Sequence, residues 1–289
     1  MAAFACPGLE NTGSVGERTL GVETAASGEA LYRAAKMNAA EAGAPFLKIP
    51  LNCNAELSAF GGKTHWNGKE FIPDGYLIDS ADALEQIFSV RFSEALFPAV
   101  FGCLALKQDG DVFAVCAQGA YSVLSALIEP FTLMRAIRKN RELIDRAVAH
   151  LIDFETAFIS RAVAQGADII SLADPTGDPE ILGMKHYQAF SGLPMYRLLQ
   201  NILPSLGGAC AHLCARTSAA MERCGLLLPS VVPCCGNYGE SLVGLSGEAQ
   251  IKLIGNGCIN CADRVVRELT VYRLADATQL EPQTAPLTV

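Results

Sequence analysis

A chain of 289 residues, 51% hydrophobic and only 18% charged, can bury a large core, which excludes a disordered polymer. Its formal net charge of -8, with no basic run, excludes nucleic acid as a partner, because phosphate neutralisation needs clustered Lys and Arg. The longest nearly apolar run, 95–106, carries Pro98 and Gly102 and is too short to span a bilayer, so no membrane association is expected.

The expected elements follow in chain order. Residues 1–28 are rich in Gly, Thr and Ser with weak periodicity, and are read as an irregular N-terminal arm. The spacing of Ala30, Leu31, Ala34, Ala35, Asn38 and Ala39 predicts a helix over 29–43. A buried strand is expected over 45–50, then loops to about residue 80 and a helix from Asp82. A second strand covers 111–116 and runs out at Gln118-Gly119, followed by a helix over 121–138. Ile144, Val148, Leu151, Phe158 and Ala162 mark a long helix over 140–165, ended by Gly166. A strand over 168–173 ends at Asp174-Pro175, and a helical stretch leads to the run 208–214. Further strands are expected over 226–235, 251–257 and 270–274, with a flexible tail over 281–289.

Strands alternating with helices imply βα units and a parallel sheet. Six to eight such units point to α/β architecture, a (β/α)8 TIM-type barrel formed as a single domain over 29–280. No G-x-G-x-x-G turn supports a dinucleotide fold. Polar residues collect at the ends of expected strands: 52–56, Gln118, Asp174, His212 with Cys214, and 255–258. In a barrel those ends share the face that carries the active site.

Eleven cysteines is an odd count for a disulfide framework. The N-terminus has no basic stretch followed by an apolar one, so no signal peptide and a cytoplasmic, reducing setting are expected. His212-Leu213-Cys214 places an imidazole and a thiol at i and i+2, and Gly257-Cys258 offers a second thiol. One nitrogen and two sulfurs are a zinc ligand set with one position open. Such a site suits the binding of a substrate thiol as its thiolate. His212 and Cys214 also read as core or rim residues of a strand, since i and i+2 share one side. Cys261 is the reserve for Cys258. Cys234-Cys235 read as a strand-end pair, and Cys6, Cys53, Cys103, Cys116, Cys210 and Cys224 as small buried hydrophobes. Asp174 is a candidate for orienting substrate or a ligand, or else caps the turn before Pro175. Glu56 is a candidate to approach the metal or thiol, or else a solvated loop carboxylate. His150 and His186 read as helix-surface residues, and His65 as lining the mouth.

Four stretches resemble the uroporphyrinogen decarboxylase superfamily, in particular its zinc-dependent methylcobamide:coenzyme M methyltransferase branch. They are Lys36-Met37 through Phe46 to the run Leu51-Asn52-Cys53-Asn54-Ala55-Glu56-Leu57-Ser58-Ala59-Phe60-Gly61, then Gln118-Gly119-Ala120-Tyr121-Ser122, then Gly166-Ala167-Asp168 through Asp174-Pro175, and lastly His212-Leu213-Cys214. The resemblance covers roughly 29–260 and implies a methyltransferase. It would move a methyl group from a methylcobamide, held on a separate corrinoid protein, to a zinc-activated thiol such as coenzyme M or a homocysteine-like acceptor. It implies zinc on His212, Cys214 and Cys258, with Asp174 and Glu56 as catalytic candidates. The Arg- and Gly-containing N-terminal motif of the decarboxylases has no match. Gly257-Cys258 is similar to the family's last-strand turn, whereas Leu253-Ile254-Gly255-Asn256 matches its penultimate strand end, which would leave Cys258 or Cys261 to substitute. A cofactor-free tetrapyrrole decarboxylase and a non-catalytic corrinoid-binding relative are the alternatives.

Overall fold

The computed structural model describes residues 27–50, 54–66 and 71–276. The expected arm is thus described only at Ser27 and Gly28. The tail 281–289, together with Cys6 and the segment Leu51, Asn52 and Cys53, lies outside the described residues.

Helix α1 (Gly28–Glu41) begins at Ser27, whose Oγ accepts the Ala30 N–H at 3.1 Å, the usual task of an N-cap serine. It buries Ala30, Leu31, Ala34 and Ala35, four of the residues its period singles out. Strand β1 (Leu47–Ile49) leads into the short helix α2 (Ala55–Ala59) and the hairpin of β2 (Thr64–Trp66) and β3 (Phe71–Pro73). The helix expected from Asp82 is a 3-10 helix, Asp82–Ser89, followed by α3 (Pro98–Leu104). Strand β4 (Phe113–Gln118) comes next.

The single helix expected over 121–138 is two helices, α4 (Ala120–Leu127) and α5 (Pro130–Lys139). Pro130 causes the break. Its ring disfavours a helical backbone at the preceding residue, and Glu129 has an extended ψ of 134°. The Glu129 carboxylate caps the new helix, accepting from Phe131 N at 3.0 Å and Thr132 N at 2.7 Å.

Helix α6 (Arg141–Ala164) matches the expected long helix, and β5 (Ile169–Ala173) follows it. The stretch before the next strand is broken into α7 (Pro179–Leu182), α8 (Met184–Tyr187), a π turn over Gln188–Gly192, and α9 (Leu193–Ile202). The remaining elements are β6 (Cys210–Cys214), α10 (Ala215–Arg223), β7 (Leu227–Asn237), α11 (Tyr238–Ser246), β8 (Leu253–Gly257) and β9 (Val265–Leu274).

The main sheet has seven strands in the order β1-β4-β5-β6-β8-β9-β7. The first five of that order pair in parallel, whereas β9 runs antiparallel to both β8 and β7. The chain is therefore α/β with a mostly parallel sheet. The last two elements depart from the βα pattern expected of an eight-stranded barrel, and among the described residues no pairing joins β1 to β7. Their composition explains this. Buried parallel strands read as continuous apolar runs. Leu227–Asn237 instead carries Pro229, Ser230 and Pro233 and is mostly exposed, as half-wet antiparallel ribbons are.

Alternate residues of the parallel strands serve two apolar groups, as the period of two requires. Phe113, Val115, Ile170, Leu172, Ala211, Leu213 and Leu253 join the large core that includes the buried stripe of α6. Ala114, Ile169, Cys210 and Ile254 join a smaller group with Phe46, Tyr238, Leu242 and Ala262. Helix α11 thus covers the second face near β6. Among the described residues no helix is long and apolar enough to cross a membrane.

Candidate functional site

Because the strands β1, β4, β5, β6 and β8 are parallel, their C-terminal ends lie along one edge. Glu56 follows β1, Gln118 ends β4, Asp174 follows β5, Cys214 ends β6 and Cys258 follows β8. This is the edge on which the sequence expects polar residues.

His212 lies between Ala211 and Leu213 and therefore faces the smaller group, on the same side as Cys210 and Cys214. Its ring is fully buried and both nitrogens are engaged. Nδ1 lies 2.9 Å from Ser171 Oγ, and Ser171 is its ladder partner on β5. Nε2 lies 2.8 Å from the Tyr238 hydroxyl. Burial lowers the His212 pKa to about 4, which keeps the imidazole neutral near pH 7, with one nitrogen donating and one accepting. Burial pushes the Tyr238 pKa upward, and its neighbours Cys258, Cys214 and Cys210 add to the effect. Tyr238 thus remains a phenol with a proton to donate.

Gly257 makes this contact possible. A Cβ at that position would stand 2.1 Å from Tyr238 Cζ, so the phenol rests directly on the backbone of β8. Cys214 pairs in register with Gly257, which brings Cys214 and Cys258 to neighbouring strand ends. Cys261 N donates to Cys258 O at 3.0 Å and closes the turn after β8. His212 thus meets Tyr238, which carries no recognisable mark in the sequence, while Cys214 and Cys258 lie at the neighbouring strand ends. The donor types fit zinc. Among the described residues, however, no three His, Cys, Asp or Glu side chains are grouped closely enough to hold a metal. Ser171 and Tyr238 already occupy both nitrogens of His212, so a metal needs Tyr238 to yield Nε2.

Asp174 is buried and tied into the protein. Its Oδ1 accepts from Ser122 N at 2.8 Å and from Ser122 Oγ, and its Oδ2 accepts from Ser191 Oγ. Its N–H donates to Thr217 Oγ1 at 3.1 Å. Burial raises its pKa, and the serine bonds oppose the rise. A Cβ at Gly119 or Gly177 would stand 2.5 Å from its carboxyl group, so the chain wraps closely around it.

Glu56 is buried rather than solvated. Its Oε1 accepts from Gln118 N at 2.9 Å, and burial pushes its pKa up to about 7. A second carboxyl acts with it. Glu155 on α6 is fully buried, neither of its oxygens has a hydrogen-bond partner among the described residues, and burial and then Glu56 raise its pKa well above the usual range. A signal for Glu155 exists in the sequence: it stands four residues from both Leu151 and Ile159, on the apolar stripe of its helix.

The remaining candidates lie apart. His65 is exposed, 3.6 Å from Asp74 on the β2–β3 hairpin. His150 Nδ1 meets Arg91 Nη1 at 3.0 Å, and His186 stacks on Phe190. Cys234 and Cys235 occupy the bulge of β7 between Pro233 and Gly236. Cys103 and Cys210 are buried thiols, each pushed up to about 12 by burial.

Comparison with known proteins gives a consistent placement. The uroporphyrinogen decarboxylase (URO-D) family profile matches residues 49–232. The methylcobamide:CoM methyltransferase MtbA of Methanosarcina mazei is 27% identical over 122 residues, covering 38% of this chain and 36% of that protein. The methylcobamide:CoM methyltransferase MtaA of Methanosarcina barkeri is 25% identical over 143 residues, covering 48% of this chain and 40% of that protein. The matches thus span two fifths or less of these relatives. A solved methyltransferase from Methanosarcina mazei has a similar fold, with a TM-score of 0.57 and 15% identity, over 71% of this chain and 65% of that one.

Proposed function

The chain belongs to the uroporphyrinogen decarboxylase family, and from that membership we propose that it is a corrinoid-dependent methyltransferase. It takes a methyl group from a methylated corrinoid, carried by a separate corrinoid protein, and passes it to a small thiol of the coenzyme M or homocysteine type. The observation that supports this reading is the placement of His212 and Cys214 on β6 beside the strand end that carries Cys258. The reading takes the parallel strands as those of a TIM-type barrel, with the chemistry at their C-terminal ends. It also takes the setting as cytoplasmic.

In this reading His212 Nε2 and the sulfurs of Cys214 and Cys258 hold zinc. When bound, zinc supplies a substrate thiolate at neutral pH, where a free thiol with pKa near 8.5 is only a few per cent ionised. Ser171 holds Nδ1 and so fixes the direction of the imidazole, as partners of metal-bound histidines do. Asp174 is a positioning residue. It ties the start of α4, the π turn and α10 to the end of β5. Burial raises the pKa of both Glu56, to about 7, and Glu155, well above the usual range, so the pair carries less negative charge at neutral pH than two ordinary carboxylates would.

The test is zinc content together with methyl transfer from methylcobalamin to coenzyme M. The expected result is about one zinc per chain, lost with activity in His212→Ala, Cys214→Ala and Cys258→Ala and retained in Cys261→Ser. Normal zinc content in Cys214→Ala overturns the ligand assignment. One observation favours a second reading, a non-catalytic relative that binds corrinoid: Tyr238 stands on the nitrogen that the metal requires. Tight binding of a corrinoid protein without zinc or methyl transfer selects that reading.

A further inference from the structure

We propose that Cys258 and Cys261 form a thiol–disulfide exchange site, a dithiol that closes on itself when it meets a low-molecular-weight disulfide. The two cysteines stand in the run Cys258-Ile259-Asn260-Cys261, the C-x-x-C spacing of redox dithiols. Cys261 N donates to Cys258 O at 3.0 Å, which makes the four residues a β-turn. The end Cα atoms of such a turn lie less than about 7 Å apart, and a disulfide spans about 4.4–6.8 Å between Cα atoms. Closure on this turn therefore asks for rotation of two side chains more than movement of the backbone.

The turn is held from several elements. Arg264 N donates to Cys261 O at 3.2 Å, so a second turn follows directly. Ile259 packs on the smaller apolar group, and Lys48 Nζ of β1 donates to Asn260 Oδ1 at 2.7 Å. Gly239 N of α11 donates to Ala262 O at 2.8 Å. Both cysteines are nevertheless half-buried, unlike the enclosed thiols of Cys103 and Cys210, so a small disulfide can reach them. Cys234 and Cys235 are less suited, because adjacent Cα atoms lie about 3.8 Å apart, below the disulfide range. Cys214, opposite Gly257 on the neighbouring strand, is the competing partner that a test must exclude.

In the exchange, one thiolate attacks the small disulfide, forms a mixed disulfide and expels one small thiolate. The second thiolate attacks the protein sulfur of that mixed bond, closes Cys258–Cys261 and expels the other small thiolate. The two protons of the dithiol end on the two small thiols. The pair is oxidised by two electrons and the small disulfide is reduced by two. Under the reading above, this oxidation also withdraws the Cys258 sulfur from the strand-end edge; the exchange itself stands without that reading.

The experiment incubates the full chain with oxidised glutathione and a metal chelator, so that no bound ion shields the thiols. Remaining thiols are then blocked and tryptic peptides are weighed. Trypsin cuts after Lys252 and Arg264, so the peptide 253–264 carries both cysteines and no other. The expected result is this peptide without blocking groups and lighter by the two thiol hydrogens, reversed by excess reduced glutathione. Cys258→Ser and Cys261→Ser are each expected to stop at the glutathione adduct. Thermal melts report their folding, and the wild-type peptide decides the matter without them. A fully blocked wild-type peptide, a lasting glutathione adduct on it, or a link from 253–264 to the peptide that carries Cys214 overturns the proposal.

Discussion

Replacing Glu155 by Leu tests the buried carboxyl pair most directly. Among the described residues, Glu155 is fully enclosed with both oxygens unpartnered, and the charge that acts on it is that of Glu56, itself buried. Both carboxyls have raised pKa values, from an ordinary 4.5 to about 7 for Glu56 and well above the usual range for Glu155. An acid raised in this way adds stability that is fully present below its unfolded pKa and lost as pH climbs towards its folded pKa. Between those limits the native chain keeps a proton that the unfolded chain has released, which costs about 1.4 kcal/mol per pH unit per group. Those two groups alone contribute a fall of about 2.7 kcal/mol per unit between pH 5 and 6.5, while His212, lowered to about 4, and His150, also lowered, act in the opposite direction over the same window. Asp111 and Glu129, whose pKa values are lowered, act below this window. Glu155→Leu removes one proton from the balance and an unpartnered polar group from the core. The slope is expected to become less negative by about 1.4 kcal/mol per unit, and the variant is expected to be more stable than wild type at pH 7. Urea unfolding at pH 5, 5.5, 6, 6.5 and 7 measures both quantities. An unchanged slope in the variant, or a variant less stable at pH 7, refutes the pairing.

Two further outcomes follow from other parts of the site. Ser171→Ala withdraws the group that orients the His212 imidazole from Nδ1, so zinc affinity is expected to fall 10- to 100-fold with the fold intact, as for other partners of metal-bound histidines; chelator competition checks this, and unchanged affinity denies Ser171 the role. Asp174→Ala leaves Ser122 N, Ser122 Oγ and Ser191 Oγ without an acceptor in a buried place, at a cost of about 3 kcal/mol or more; a denaturation midpoint equal to wild type shows that these donors find other partners.

Where the fold was legible, the reason is burial. The runs 113–118, 169–173, 210–214 and 253–257 are enclosed on both faces, so their sequences are nearly continuous apolar stretches that stand out from the helices between them. Local chemistry that competes with periodicity misleads. Ala120 to Lys139 keeps a helical pattern throughout, yet Pro130 splits it. Partner choice is harder still. Leu227–Asn237 reads as a strand, but nothing in its own residues says that it pairs antiparallel with Val265–Leu274 rather than continuing a parallel set. That decision is made by a segment almost thirty residues further on.

The site divides along the same line. His212, Cys214 and Cys258 could be named because nitrogen and sulfur donors beside glycine at strand ends are chemically distinctive. Tyr238 could not, because a tyrosine after an Asn that caps a helix is ordinary in sequence. Its importance comes from a contact across two elements, made possible by a missing side chain at Gly257. Gly257 in Gly257-Cys258 thus has two functions. It was read as the turn that presents a thiol, and it also admits the phenol that covers the imidazole. A substitution there therefore acts on both: a Cβ drives the ring away from Nε2 and disturbs the strand that carries Cys258. The imidazole and the strand end that carries Cys258 are coupled through one backbone position, so the packing of β8 against α11 sets how both are presented.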